Sequence, residues 1–207
     1  ELKEIAMAFL EESGMVIITR VTEGQASELR KVLPSGVSAK DNARGRTLVI
    51  KGKKFLPTSA SGKVAILTAG TADIGVAEEA RTILEEMGCE VYVFYDVGVA
   101  GIHRLFPAMR RCIEAEVGAM IVVAGMEGAL PSVVSGLSTV PVIGVPSSSG
   151  YGVGGKGEGA LVSMLQSCSP GLVVVNVDNG VGAAVAAALI SRGKPPSEGR
   201  PARKSNI

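Results

Sequence analysis

His103, the only histidine of this 207-residue chain, stands beside Arg104 in a turn that also carries Asp96, Gly98 and Gly101. An imidazole can move a proton near neutral pH, and a guanidinium makes the two-pronged contact that phosphate favours. A lone histidine is more often a satisfied structural residue. The adjacent arginine and glycines tilt this one towards proton transfer or phosphate contact. Four other turns set polar groups among glycines: Thr68, Gly70, Thr71 and Asp73; Gly125 and Glu127; Ser147 within a Ser/Gly loop around Tyr151; and Asp178-Asn179-Gly180. Gly70 lets backbone approach a ligand, and the helix start after it offers N–H groups to an anion. The turn is neither a GxGxxG nor a Walker A pattern, and Asp73 as a helix cap is an equally good reading. Glu127 is expected at a helix start, desolvated by apolar and glycine neighbours and so open to pKa tuning. A favourable interaction with the helix dipole is its plainer role. Asp178-Asn179-Gly180 is a turn signature in its own right, and the loop at 146–155 reads equally well as a cover or a linker.

Each turn closes an apolar run, at 64–68, 91–95, 120–124, 141–145 and 172–177. Continuous apolar strands are buried on both faces, as in a parallel sheet between helices. Between two of them Val76, Ala80, Ile83, Leu84 and Met87 form one helical stripe, with Glu78, Glu79, Glu85 and Glu86 expected opposite. The fold class is therefore α/β: a three-layer α/β/α sandwich with a parallel sheet and right-handed crossovers. All five turns then share the carboxyl edge, where such sheets bind ligands. This regular part spans 63–192. Residues 1–57 read as a small N-terminal α/β unit, the end of a longer N-terminal region. Its elements are a helix at 2–12, a strand at 15–20, a helix at 25–32, a polar loop at 34–45 and a strand at 47–51. Residues 193–207, with three prolines and no apolar period, are expected to be a disordered tail.

A net charge of +1 with no basic stripe or aromatic platform argues against nucleic acid. The apolar stretch at 183–190 is too short to cross a bilayer. No signal peptide is visible, although without an initiator Met a leader could already be gone. Three cysteines without metal-ligand spacing fit a reducing, cytoplasmic setting. Cys89 and Cys112 read as small buried hydrophobes. Cys168, among Ser167, Ser169, Pro170 and Gly171 at a helix end, is expected to be reachable from the carboxyl edge.

Six segments in order carry a family resemblance: AGTADIGVAEEA (69–80), DVGVAGIHRLF (96–106), VAGMEGALPSVV (123–134), PSSSGYG (146–152), MLQSC (164–168) and VVNVDNGVGAA (174–184). They resemble the LarB family, whose second domain is similar to the PurE aminoimidazole ribonucleotide (AIR) carboxylases. MVIITR and the helix after it are similar to the end of the LarB N-terminal region.

The resemblance implies a reaction in which nicotinic acid adenine dinucleotide is carboxylated on its pyridine ring with CO₂ or bicarbonate as co-substrate. The phosphoanhydride is also hydrolysed, giving pyridinium-3,5-biscarboxylic acid mononucleotide and AMP. Cys168 matches the cysteine that adds to the ring. A thiolate both attacks and leaves well, so its addition could turn an electrophilic ring into an enamine-like nucleophile. Glu127 or His103 would take the ring proton, Asp96 would assist, and Thr68, Gly70, Thr71, Asp73, Arg104, Gly125, Ser147, Asp178 and Asn179 would bind substrate. No tightly bound cofactor is implied. Asp73, Asp96 and Asp178 could hold Mg²⁺ for the hydrolytic step. A homo-octamer is expected as well. The runner-up is an AIR carboxylase or N5-carboxyaminoimidazole ribonucleotide mutase of purine synthesis, whose His-Arg pair His103-Arg104 resembles. TAGTAD and GMEGALPS depart from that family's phosphate and glycine motifs. A third reading is a non-catalytic regulatory or ligand-binding protein.

Overall fold

The computed structural model describes residues 1–56 and 62–192, so the expected tail at 193–207 lies outside the described residues. Five parallel strands form the larger sheet: β4 (Lys63–Thr68), β5 (Glu90–Phe94), β6 (Ala119–Ala124), β7 (Val142–Pro146) and β8 (Leu172–Val174). Their order is β5-β4-β6-β7-β8. β6 and β7 are buried along their whole length, as expected of strands covered on both faces. The last strand is shorter than its apolar run: its register with β7 ends at Val174, the Val175 N–H still donates to the Gly144 carbonyl at 3.1 Å, and the chain then runs on to Asp178.

Helices α3 (Ile74–Glu86) and α7 (Gly180–Arg192) cover one face through Ala77, Ala80, Leu84, Ala183, Ala184 and Ala187. Helices α4 (Leu105–Glu114), α5 (Ala129–Leu137) and α6 (Glu158–Leu165) cover the other through Leu105, Met109, Cys112, Leu130, Val134 and Met164. The three-layer sandwich is thus present. Alanines and valines fill it because aromatics are few, and they let α7 lie close to α3.

The N-terminal unit has its own apolar cluster, including Ala6, Leu10, Leu29, Leu48 and Ile50. Helices α1 (Leu2–Ser13) and α2 (Glu23–Arg30) accompany a three-stranded antiparallel sheet. Its order is β1-β3-β2, from β1 (Met15–Ile18), β2 (Ser38–Asn42) and β3 (Thr47–Lys51). A capping box between Thr22 and Gln25 starts α2. The expected polar loop at 34–45 is therefore corrected. It contains β2, a polar edge strand whose Ser38, Lys40 and Asp41 face solvent, so no apolar alternation marks it.

A second correction concerns α3. Glu78 and Glu79 are buried, to 7% and 5% exposure, because the β2–β3 hairpin lies over that helix. The Asn42 side-chain amide donates to Glu78 Oε2 at 2.6 Å, and Thr47 Oγ1 donates to Thr82 Oγ1 at 3.1 Å. Tyr95 donates its hydroxyl to Glu78 from the other side. Lys51 and Glu86 form an ion pair at 2.5 Å. Gly45, at the hairpin turn, sits so close to α3 that a Cβ would lie 2.7 Å from the backbone of Glu78 and Glu79. Polar partners here compensate for burying a carboxylate.

Candidate active site

The strand order places a switch point between β4 and β6, because the chain runs outward from β4 first to β5 and then across to β6. Ligands of open α/β sheets sit beyond the strand ends at such a point. Here the turns after β4, β6 and β7 converge. Asp73 is 3% exposed, and both of its oxygens accept hydrogen bonds: Oδ2 from the Gly70 N–H at 2.8 Å and Oδ1 from Ser149 Oγ at 2.7 Å. It does not cap α3 with its side chain. Ser147, 1% exposed, donates to Ser149 Oγ at 3.0 Å. Gly125 lies underneath, where a Cβ would approach Ser149 Oγ at 2.7 Å and Asp73 Oδ1 at 3.5 Å. A side chain at Gly125 would fill this cradle.

Neighbouring turns are tied into the same network. Buried Thr68 accepts the Asp96 N–H at 3.0 Å, and the Gly98 N–H donates to the Ala69 carbonyl at 3.0 Å. Asp178 Oδ1 accepts the Ser148 N–H at 2.8 Å, and its own N–H donates to the Pro146 carbonyl. Asp96, Met126 and Asp178 all hold left-handed backbone, with φ of 57°, 51° and 55°. Such conformations cost of order 1–3 kcal/mol and concentrate at functional sites.

Several expected site residues sit differently. Arg104 pairs with Asp96 at 2.5 Å, and both side chains stay partly open to solvent. Thr71, His103 and Glu127 are exposed. Glu127 precedes α5 in a turn instead of starting the helix, and solvent removes the desolvation expected of it. Asn179 is committed to the first turn of α7, accepting the Gly182 N–H at 2.8 Å. The suggested Mg²⁺ carboxylates do not fit a metal. Asp73 accepts two protein donors, Asp96 holds Arg104 and Asp178 holds a backbone N–H. No three His, Cys, Asp or Glu residues converge among the described residues.

Cys168 is exposed, but its placement at the carboxyl edge is corrected. It lies between α6 and β8. The Gly171 carbonyl accepts from the N–H of Val142, the first residue of β7, and the Pro170 carbonyl accepts from Ser135 Oγ near the end of α5. That is the amino edge. Since α6 runs back antiparallel to the strands, its C-terminus necessarily arrives there.

Beside the Asp73 network a cavity of about 300 Å³ opens between the larger sheet and the N-terminal hairpin. Arg20, Arg44 and Arg46 line one side, with Ser147, Ser148, Ser149 and Asp178 on the other. Its floor includes Glu79. Burial pushes that carboxyl up, opposed by the Arg20 charge and by the N–H groups of Gly180 and Val181. Sequence reasoning missed these three arginines and Ser149. Their traces were Arg44 and Gly45 at the end of the segment read as a loop, Arg46 just beyond it, and Ser149 inside the Ser/Gly loop at 146–155.

A protein-family model described as AIR carboxylase matches residues 63–197. An uncharacterized protein of Methanocaldococcus jannaschii is 49% identical over 194 residues, covering 93% of this chain and 74% of that one. The N5-carboxyaminoimidazole ribonucleotide mutase of the same organism is 35% identical over 127 residues, 60% of this chain and 75% of its own. A crystal structure of a Treponema denticola PurE2 variant aligns at a TM-score of 0.48 and 22% identity, covering 64% of this chain and 81% of that one.

Proposed function

Because the chain belongs to the AIR carboxylase family, we propose that it is an enzyme that adds or moves a carboxyl group on the heteroaromatic ring of a phosphorylated nucleotide. The observation that carries this reading is the cradle at the switch point, where Asp73, Ser147 and Ser149 close around Gly125. In such a reaction a nucleophilic ring carbon attacks CO₂ and the C–O electron pair becomes carboxylate. The ring C–H proton then leaves and aromaticity returns. His103 supplies a proton acceptor at the same edge, on a turn pinned to the Asp73 turn through Gly98. Relatives named as N5-carboxyaminoimidazole ribonucleotide mutases support an aminoimidazole ribonucleotide as the substrate.

A second reading is the LarB-type carboxylation of nicotinic acid adenine dinucleotide with release of AMP. What favours it is the cavity wall contributed by Arg20, Arg44 and Arg46, outside the span matched by the family model. A dinucleotide has more phosphate to place there than a mononucleotide. In this reading Cys168 must act from a second copy of the chain, since within one protomer it occupies the opposite edge. The test incubates the protein with bicarbonate and each nucleotide in turn, with and without Mg²⁺, and follows products by mass spectrometry. Carboxylated imidazole supports the first reading; AMP with a dicarboxylated pyridinium mononucleotide supports the second. Turnover of neither overturns both.

A further inference from the structure

Glu79 is a carboxylate that the proposed chemistry does not use, buried to 5% exposure in the seam between α3 and α7. Elsewhere that seam is built from Ala77, Ala80, Ala183, Ala184 and Ala187, so an apolar residue at 79 would fill the space without desolvating a charge. The adjacent Glu78 is taken up by Asn42 and Tyr95. Glu79 faces the start of α7 instead. A Cβ on Gly180 would lie 2.7 Å from its Oε2 and equally close to the Val76 carbonyl.

The leading N–H groups of a helix have no partner further back within it. In α7 the Gly182 N–H donates to Asn179 Oδ1 at 2.8 Å, and the Ala183 N–H to the Asn179 carbonyl at 3.2 Å. The two that remain, of Gly180 and Val181, turn to the Glu79 carboxylate. The first turn of α7 holds no acidic residue of its own, so α3 supplies the negative charge that a helix start favours. Just ahead of it Asp178 holds left-handed backbone at φ of 55°, a conformation that persists only where its surroundings enforce it. Its N–H donates to the Pro146 carbonyl at 2.9 Å, and Arg20 donates to its own carbonyl at 3.2 Å. The fixed start of α7 holds it from the other side. Asp178 Oδ1 then accepts the Ser148 N–H at 2.8 Å, and next to Ser148 stands Ser149, whose Oγ donates to Asp73. Contact runs unbroken from Glu79 through α7 and the Asp178 turn to the cradle.

We propose that Glu79 is a positioning residue for the site: by capping α7 from α3 it fixes the Asp178 turn, and that turn sets the Ser147–Ser149 segment against Asp73. It acts through Asp178 and needs no contact with substrate. Its effect on turnover rests on the function proposed above, whereas the positioning stands on contacts within the protein.

Hydrogen–deuterium exchange of the whole protein, followed by peptide mass spectrometry, reads the positioning without substrate. Glu79→Gln keeps the shape but loses the charge and turns an amide donor towards the N–H groups of α7. Residues 146–152 and 178–184 should then exchange about tenfold faster or more, the scale of a lost charge-assisted hydrogen bond, while 119–124 exchanges as in the parent. The kcat/KM for whichever nucleotide the parent turns over should fall about tenfold or more, measured well below the melting temperature so that every molecule is folded. Glu79→Asp keeps the charge on a shorter stem and should recover part of both. Arg20→Gln changes an exposed residue and removes the donor to the Asp178 carbonyl, so it should loosen 146–152 by the same route. Parent-like exchange at 146–152 in Glu79→Gln, or in Arg20→Gln where no variant at 79 folds, overturns the proposal. So does equal acceleration throughout the chain, which a merely structural role would give, or localised loosening with parent-like kcat/KM. A parent protein that turned over neither nucleotide would sink the proposed function, and localised exchange would still put Glu79 in control of the cradle.

Discussion

Asp73 is the residue on which the candidate site turns. It is a buried carboxylate with one oxygen closing its own turn and the other holding Ser149 in the loop after β7. Asp73→Asn keeps the shape but replaces an acceptor with an amide donor, which then faces either the Gly70 N–H or the Ser149 hydroxyl. A mispaired buried group costs about 1–3 kcal/mol. We expect a lower melting temperature, retained secondary structure and strongly reduced carboxylation, read by thermal unfolding and by the product assay. The cysteines divide by environment. Burial pushes the Cys112 thiol up to about 11 and raises that of Cys89, whereas Cys168 is exposed. A thiol reagent at pH 8 should therefore modify one cysteine quickly, and Cys168→Ala should abolish that fast class. Cys112→Ala should instead cost about 1 kcal/mol of stability, as small truncations do. A fast class that survives Cys168→Ala would contradict this assignment.

At the scale of elements, the least expected contact is the β2–β3 hairpin on α3. The apolar runs of the parallel sheet and the glycine turns at their ends were readable because burial on both faces leaves an unbroken pattern. Asn42 and Glu78 left no such trace. They are polar, 36 positions apart, and each looks like a surface residue until the other covers it. The same holds for Cys168, whose edge follows from the direction of α6, not from its neighbours. The docking contact has a pH signature. Burial by itself would raise Glu78, but hydrogen bonds from Tyr95 and Asn42, with the Arg81 charge, more than offset it and leave the carboxyl below its ordinary value of 4.5. A carboxylate lowered in the folded state contributes stability that is present above the unfolded value and is lost as pH falls through the folded one. The melting temperature should thus drop as pH falls from about 5 towards 3, and Glu78→Gln should flatten part of that slope. Asn42→Ala should cost about 1–3 kcal/mol near neutral pH by leaving Glu78 short of a donor. A slope unchanged in Glu78→Gln would place the acid sensitivity elsewhere.

For the whole molecule, the question is whether one chain is sufficient for the proposed chemistry. The edge of the sandwich bearing β8 and α6 exposes Val162, Leu165 and Val173, each more than half accessible, and α7 on the other face exposes Leu189. β8 is also an edge strand with only three paired residues. Apolar side chains left uncovered near an open edge suit association between copies, and the resemblance noted in the sequence implies an octamer. Light scattering should show a stable oligomer at micromolar concentration; a clean monomer would contradict it. Assembly also decides between the two substrates. Carboxylation through a cysteine adduct needs Cys168, at the amino edge of one protomer, to meet the Asp73 cradle of another. Cys168→Ala and Asp73→Asn should then each be inactive alone on the dinucleotide. Co-expressed, they should regain activity, because a site formed by the Asp73 edge of one variant and the Cys168 of the other is intact. Full activity of Cys168→Ala on an aminoimidazole ribonucleotide would remove the cysteine from the chemistry. Two variants that are inactive apart and remain inactive in confirmed mixed oligomers would rule out the shared site.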